Sequence, residues 1–223
     1  MSVRVADRLA FMEAAAKALP RERLMTGTGA SALHDAIELT RGALSLGFAA
    51  ALVIPPFYYR EIPDDGVMRF FDEVFSRTKP GAGQIFLYNF PRMSGVTFHA
   101  DLVDRLLAHY PGVIAGMKDS SNDLALEREL HERHPEFAIL PGSEELLPEV
   151  IAGNLAGCIS GSVCLWPDLA AQAWRERDMQ KAAEVRELRK AMPMPFIPAV
   201  RTRVAAEQKN DAWLRSMPPL PSS

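Results

Sequence analysis

Short apolar segments alternate along the chain with segments whose apolar residues recur at helical spacing. The apolar segments end in Gly, Pro or a polar residue, and they are continuous, which is typical of strands buried on both faces. They are residues 23–27, 49–55, 84–89, 113–118, 137–142 and 157–160. Apolar positions at a period of about 3.6 residues predict helices between them. The predicted helices are residues 31–46, 65–77, 100–109, 122–133, 144–153 and 167–191.

This alternation predicts an α/β fold with a parallel sheet of six βα units. A doubly wound sheet and a (β/α)8 TIM barrel both fit the period, and in either fold ligands bind at the carboxyl ends of the strands. We predict one domain over residues 1–223, with barrel units over about 7–190. C-terminal helices and a tail should occupy about 191–223, and the Pro-rich end from Ser216 should be extended.

Composition excludes several classes of function. The chain has 223 residues, 48% of them apolar, and its 25 basic and 28 acidic residues are interspersed, so no nucleic-acid partner is expected. Its apolar runs are shorter than the ~20 residues that span a bilayer, and no secretory leader is apparent, which predicts a cytoplasmic protein with no membrane partner. Cys158 and Cys164 have no His or Cys at ligand spacing, which predicts buried thiols and no metal.

Lys118 is the most unusual polar residue at a predicted strand end. It closes the apolar run 113–117, whereas the other five lysines lie in polar surroundings. Partial desolvation at a strand end favours the neutral amine, which is the nucleophile in Schiff-base chemistry. The alternative is a lysine that extends to the rim and pairs with Asp119.

Three further segments at strand ends carry candidate groups. Tyr88 could exchange protons with a substrate, or it could cap the core with its hydroxyl in water. The aromatic turn at 55–60 contains Tyr58, and it could equally plug one end of a barrel. The Gly-rich segment 26–31 resembles a phosphate-binding turn, but it lacks a third glycine or a P-loop lysine, so Ser31 is expected to be an N-cap.

Five motifs in order resemble the dihydrodipicolinate synthase and N-acetylneuraminate lyase family of class I aldolases, which are (β/α)8 barrels. They are Pro-Pro-aromatic-Tyr at 55–58, Tyr-Asn-x-Pro at 88–91 followed by Gly95, Gly-x-Lys-Asp at 116–119, Gly-Ser-Glu-Glu at 142–145 and Gly-x-Ile-Ser at 157–160. Each falls at a predicted strand end, and together they extend over most of the chain.

The resemblance implies a lyase or aldolase that forms an imine between Lys118 and pyruvate or another 2-keto acid, with Tyr88 moving protons. It implies no metal or organic cofactor, because the imine itself is the electron sink. Tyr58 matches the second family tyrosine. Gly142, Glu144, Glu145 and Ser160 match segments that contact substrate, which in such enzymes includes an aldehyde or sugar acid. A homodimer or homotetramer is the expected assembly.

Two departures from the family qualify this expectation. Met93 stands where the synthase branch has a carboxylate-binding arginine, and Gly161 stands where the lyase branch has a hydroxyl, so dihydrodipicolinate synthesis itself is not expected. Asp7 already matches the second family helix, so we expect a barrel that lacks its N-terminal βαβ portion and the turn that holds the pyruvate carboxylate.

The sequence leaves two other classes of function open. The first is a non-catalytic homologue that acts as a binding or structural protein, and the second is a phosphate-binding or nucleotide-binding α/β protein based on residues 26–31.

Overall fold

The computed structural model describes residues 3–216, and helices and strands alternate along most of this range. The strands are β1 (Met25–Gly27), β2 (Ala50–Val53), β3 (Ile85–Asn89), β4 (Ile114–Asp119) and β5 (Ala138–Pro141). The helices are α1 (Val5–Ala18), α2 (Leu33–Ser45), α3 (Asp64–Thr78), α4 (Pro91–Ser94), α5 (Ala100–His109), α6 (Leu124–Arg133), α7 (Leu147–Ala152), α8 (Pro167–Glu176), α9 (Met179–Lys190) and α10 (Phe196–Gln208). Most of the predicted extended tail lies outside the described residues.

The strands form one sheet in the order β1-β2-β3-β4-β5. The first four pair in parallel, as the alternation of strands and helices predicts. Contacts between residues divide the chain into two compact units, which meet in sequence at Ile139 and Leu140.

The first unit has a core of large apolar side chains between the sheet and its helices. Helix α3 buries the apolar stripe that its sequence predicts, including Phe71, which is fully buried. The Phe71 ring lies 5.4 Å from the Phe75 ring and 6.1 Å from that of Phe98, so aromatic contacts join α3 to the segment that precedes α5. Leu87 and Met117 complete this core from β3 and β4.

The second unit has its own apolar cluster. Its buried members are Leu147, Ile151, Leu165, Trp166, Ala170, Ala173, Ala182, Val185 and Val200, which come from α7 through α10 and the turn before α8. A helical layer that buries one stripe of each helix gives this part of the chain a separate core.

Two predicted elements differ from the structure. Residues 157–160 do not form the sixth strand: their one backbone–backbone hydrogen bond runs from the Ile159 amide to the Pro141 carbonyl. The helix predicted over 167–191 is two helices, because Arg177 adopts a left-handed conformation and Asp178 caps α9 by accepting from the amides of Gln180 and Lys181.

Three smaller expectations also fail. Ser31 is not an N-cap, because Ala32 occupies the cap of α2 and no side chain caps that helix. Cys164 is exposed and Cys158 is half-buried, so neither is a fully buried thiol. Burial next to Glu144 raises the pKa of Cys158 to about 11.

No helix within residues 3–216 combines the length and apolarity needed to cross a membrane.

The start of α6 provides a test of local stability. Asp123 caps this helix, since its Oδ1 accepts from the amides of Ala125 and Leu126 at 3.0 and 3.1 Å. We expect Asp123→Ala to lower the free energy of unfolding by about 1 kcal/mol, the usual contribution of an N-cap. Urea denaturation measures it, with Glu132→Ala on the exposed side of the same helix as the control. Equal stability of the two variants would contradict the capping role.

Candidate active site at the ends of β3 and β4

The ends of β3 and β4 bring Tyr88 and Lys118 side by side. Ile85 pairs with Ile114, but Phe86 pairs with Gly116, so Ala115 is an extra residue in β4. This β-bulge advances β4 by one position and places Tyr88 opposite Lys118; without it, Tyr88 would face Met117. The bulge therefore determines which side chains meet at the strand ends.

The two side chains contact each other directly. Lys118 Nζ donates to the Tyr88 hydroxyl at 3.0 Å and lies 4.3 Å from the centre of the Tyr88 ring. Both are half-buried, and the Tyr88 ring stacks on that of Phe90 at 5.6 Å. An amine and a phenol at this distance can exchange a proton without further movement.

The next residues of the two strands, Asn89 and Asp119, are completely buried and lie on the opposite face of the sheet. Asn89 Nδ2 donates to Asp119 Oδ1 at 2.6 Å, and Asn89 Oδ1 accepts from the Phe98 amide at 3.2 Å. Asp119 also accepts from the hydroxyl and the amide of Ser121. The alternative in which Lys118 pairs with Asp119 is therefore wrong, because successive residues of a strand point to opposite faces.

Two of the motif glycines have structural reasons: close packing at Gly116 and a positive φ at Gly95. A Cβ at Gly116 would lie 2.1 Å from the Ala138 carbonyl oxygen and 2.6 Å from the Phe86 ring, so only glycine fits beside the bulge. Gly95 has a φ of 73° and ends α4, which begins at Pro91 after its N-cap Phe90. The motif 88–95 thus comprises the end of β3 and the short helix α4.

Tyr58, which the sequence predicts to bind substrate, lies outside the Tyr88–Lys118 pair. Its side chain is 78% exposed, and its ring packs edge-on against Tyr59 with centroids 5.5 Å apart. It makes no hydrogen bond or ring contact with Tyr88 or Lys118 in the part of the chain that the structure describes.

In the second unit, the predicted residues Glu144 and Ser160 contact each other. Glu144 is completely buried, and its carboxylate accepts from the hydroxyls of Ser160 and Ser162, the latter at 2.6 Å. Arg189 Nε lies 4.0 Å from the same carboxylate. These contacts compensate the buried charge of Glu144 and hold the Ser160 hydroxyl in place.

Gly142 and Glu145 flank this cluster. Gly142 follows β5, and Ser143 caps the single turn Glu144–Leu146 by accepting from the Glu145 amide. Glu145 lies at the edge of the cluster, with Oε1 3.8 Å from Arg189.

Four residues of these clusters were not among the predicted site residues: Asn89, Asp119, Ser162 and Arg189. Asn89 and Asp119 belong to the quoted motifs, and their adjacency to the two candidates was an available signal. Arg189 lies in a helix rich in charged residues, and no local pattern sets it apart from its neighbours.

Comparison with known proteins identifies the family. The model of the dihydrodipicolinate synthetase family matches residues 4–204. An uncharacterised DapA-like lyase of Chloroflexus aurantiacus is 33% identical over 169 residues, which are 76% of this chain and 56% of that protein. The putative 2-dehydro-3-deoxy-D-gluconate aldolase YagE of Escherichia coli is 29% identical over 198 residues, 82% of this chain and 64% of YagE. The chain thus spans more than half but less than two thirds of the length of each of these relatives.

Solved structures agree. Dihydrodipicolinate synthase from Agrobacterium tumefaciens superposes with a TM-score of 0.86 and 30% identity, and the match covers all of this chain and 77% of that one. YagE in complex with pyruvate superposes with a TM-score of 0.80 and 25% identity. These matches confirm the predicted (β/α)8-barrel fold class, of which the described residues supply the five strands above. From the family match and these likenesses, the chain belongs to the dihydrodipicolinate synthetase family.

Proposed function

We propose that the protein is a lyase or aldolase that binds pyruvate or another 2-keto acid as an imine on Lys118. The observation that carries this proposal is the 3.0 Å contact between Lys118 Nζ and the Tyr88 hydroxyl at paired strand ends. Imine chemistry needs a lysine amine that attacks the carbonyl and a neighbouring group that donates and accepts protons, and these two side chains provide both.

The proposed chemistry begins when the neutral amine of Lys118 attacks the keto carbon. Tyr88 then delivers the proton that lets the carbinolamine lose water, and the imine forms. Loss of a proton from the carbon next to the imine gives an enamine, which can attack an aldehyde; the reverse sequence breaks the same carbon–carbon bond. Water finally releases the product and restores the amine.

Relatives support this class of substrate. YagE is named a putative 2-dehydro-3-deoxy-D-gluconate aldolase and was solved with pyruvate. Met93 and Arg92 are both exposed, so neither forms a buried carboxylate clamp after Tyr88. We therefore propose an aldolase or lyase other than dihydrodipicolinate synthase. The substrate-binding roles of Tyr58, Gly142, Glu144, Glu145 and Ser160 stay predictions.

Reductive trapping tests the proposal directly. The chain is incubated with pyruvate and borohydride and analysed by mass spectrometry. We expect the protein to gain the mass of pyruvic acid less one oxygen atom, on the peptide that contains Lys118. Lactate, which lacks the keto group, is the control and should add nothing.

The same experiment separates the alternatives. A folded sample that gains no mass with pyruvate or with longer 2-keto acids would overturn the proposal in favour of the non-catalytic homologue. The expected homodimer or homotetramer stays a prediction, and light scattering on the same sample measures it.

A further inference from the structure

Glu127 is a buried carboxyl group for which the proposed mechanism has no use. It lies in α6 and is completely inaccessible to solvent, between the buried residues Leu126 and Leu130 of the same face. No donor within residues 3–216 reaches either of its oxygens. An ionised carboxylate in such a place is very costly, so the group is stable there only as a neutral acid.

The ionisable group with the largest effect on the pKa of Glu127 is Asp119, at the end of β4, which raises it through a side-chain hydrogen bond and through its charge. Asn89 and Ser121 donate to the oxygens of Asp119, whereas no donor reaches those of Glu127. Two buried carboxyl groups in proximity cannot both carry charge, so the proton resides on Glu127. Burial is the largest cause, and Asp119 the second, of a pKa for Glu127 of about 8.

Other charged groups around Glu127 have smaller effects. Asp123, which precedes α6, raises the pKa of Glu127 and Arg128 lowers it. The acidic side chains of the neighbouring helix α5, Asp101 and Asp104, bind Arg133. Asp119 is thus the group through which Glu127 can act on the strand ends.

We propose that Glu127 is a positioning residue: as a neutral acid it donates to Asp119 and thereby fixes the ends of β3 and β4. Asp119 follows Lys118, and its partner Asn89 follows Tyr88, so this buried pair holds the two candidate residues in register. When Glu127 loses its proton, two negatively charged carboxylates lie close together without access to water. Their repulsion displaces the end of β4 and with it Lys118. This inference rests on the proposed function.

The first test measures folding and does not depend on activity. In the unfolded chain a Glu ionises near its ordinary pKa of 4.5, whereas folded Glu127 ionises only near 8. Folding therefore loses stability as pH rises between these values, and the loss is complete above the folded pKa. We expect the Tm of the wild type to fall relative to Glu127→Gln between about pH 5 and about pH 8. Parallel Tm profiles would show that Glu127 is not a buried neutral acid and would overturn the proposal.

The second test measures pyruvate trapping on Lys118 against pH. Glu127→Gln keeps a donor for Asp119 and cannot ionise, so its trapping rate is the reference, and the ratio of the two rates removes every pH effect that both proteins share. We expect the ratio of wild type to Glu127→Gln to be near one at about pH 6.5 and to fall about tenfold by about pH 9, where only about one-tenth of wild-type Glu127 keeps its proton. Glu132→Gln, exposed on the same helix, should trap like the wild type throughout.

Glu127→Leu provides the variant without a donor. Because this variant removes the buried acid, we expect its Tm at about pH 8 to be no lower than that of the wild type. Because it has no donor for Asp119, we expect pyruvate trapping on Lys118 to be several-fold slower throughout the pH range. A constant ratio of wild type to Glu127→Gln, or wild-type trapping by Glu127→Leu, overturns the positioning role alone. Absence of any adduct from the wild type overturns the proposed function and the positioning role with it.

Discussion

Lys118→Ala is expected to abolish the borohydride-stable pyruvate adduct while leaving the fold intact. The amine is the only group in the proposed mechanism that forms a covalent bond, so no residual trapping at this site should survive its removal. The side chain is half-buried and its polar contact is with the Tyr88 hydroxyl, so truncation leaves the apolar core unchanged. Intact-mass analysis measures the adduct, and thermal unfolding measures the fold.

The other lysines supply the control. Lys17 lies on the exposed side of α1, and Lys17→Ala should be trapped like the wild type. Lys118→Arg should be as inactive as Lys118→Ala, because a guanidinium stays protonated and cannot attack a carbonyl. An adduct of undiminished yield on Lys118→Ala would assign the imine to another lysine and contradict the proposed function.

Tyr88→Phe is expected to slow proton transfer about 100-fold or more, the usual contribution of a positioned acid or base. The substitution keeps the ring and its stacking on Phe90 and removes only the hydroxyl that contacts Lys118. Exchange of the methyl protons of pyruvate in D2O, followed by NMR, measures this step without knowledge of the aldehyde substrate. Borohydride trapping should fall by a smaller factor, because the amine remains.

Tyr110→Phe is the matched control for this experiment. Tyr110 donates to Asp72 on α3 and takes no part in the proposed site, so its loss should leave pyruvate exchange unchanged. Exchange by Tyr88→Phe at the wild-type rate would show that Tyr88 only packs at the strand end.

Sequence patterns correctly predicted the helices and strands whose formation depends mainly on the residues within them. Helix α5 was predicted at its observed bounds, 100–109, because its apolar stripe alone marks one buried face. The pattern failed where other parts of the molecule decide. Residues 157–160 are as apolar as a strand, yet only Ile159 finds a backbone partner, and strand formation needs a paired neighbour. Periodicity did not mark helix α1, because few of its residues are buried, and only the family resemblance at Asp7 indicated a helix there.

By itself, the sequence determined the parallel α/β arrangement and the candidate residues Lys118 and Tyr88, because strand ends and their polar residues can be recognised from local composition. Only the tertiary structure decided that these two side chains meet. Their contact depends on the bulge at Ala115, whose extra residue shifts the register between two strands about thirty residues apart in the chain. The complete burial of Glu127 is likewise decided by tertiary packing, because a Glu in a charged helix carries no local sign that it will lose its water.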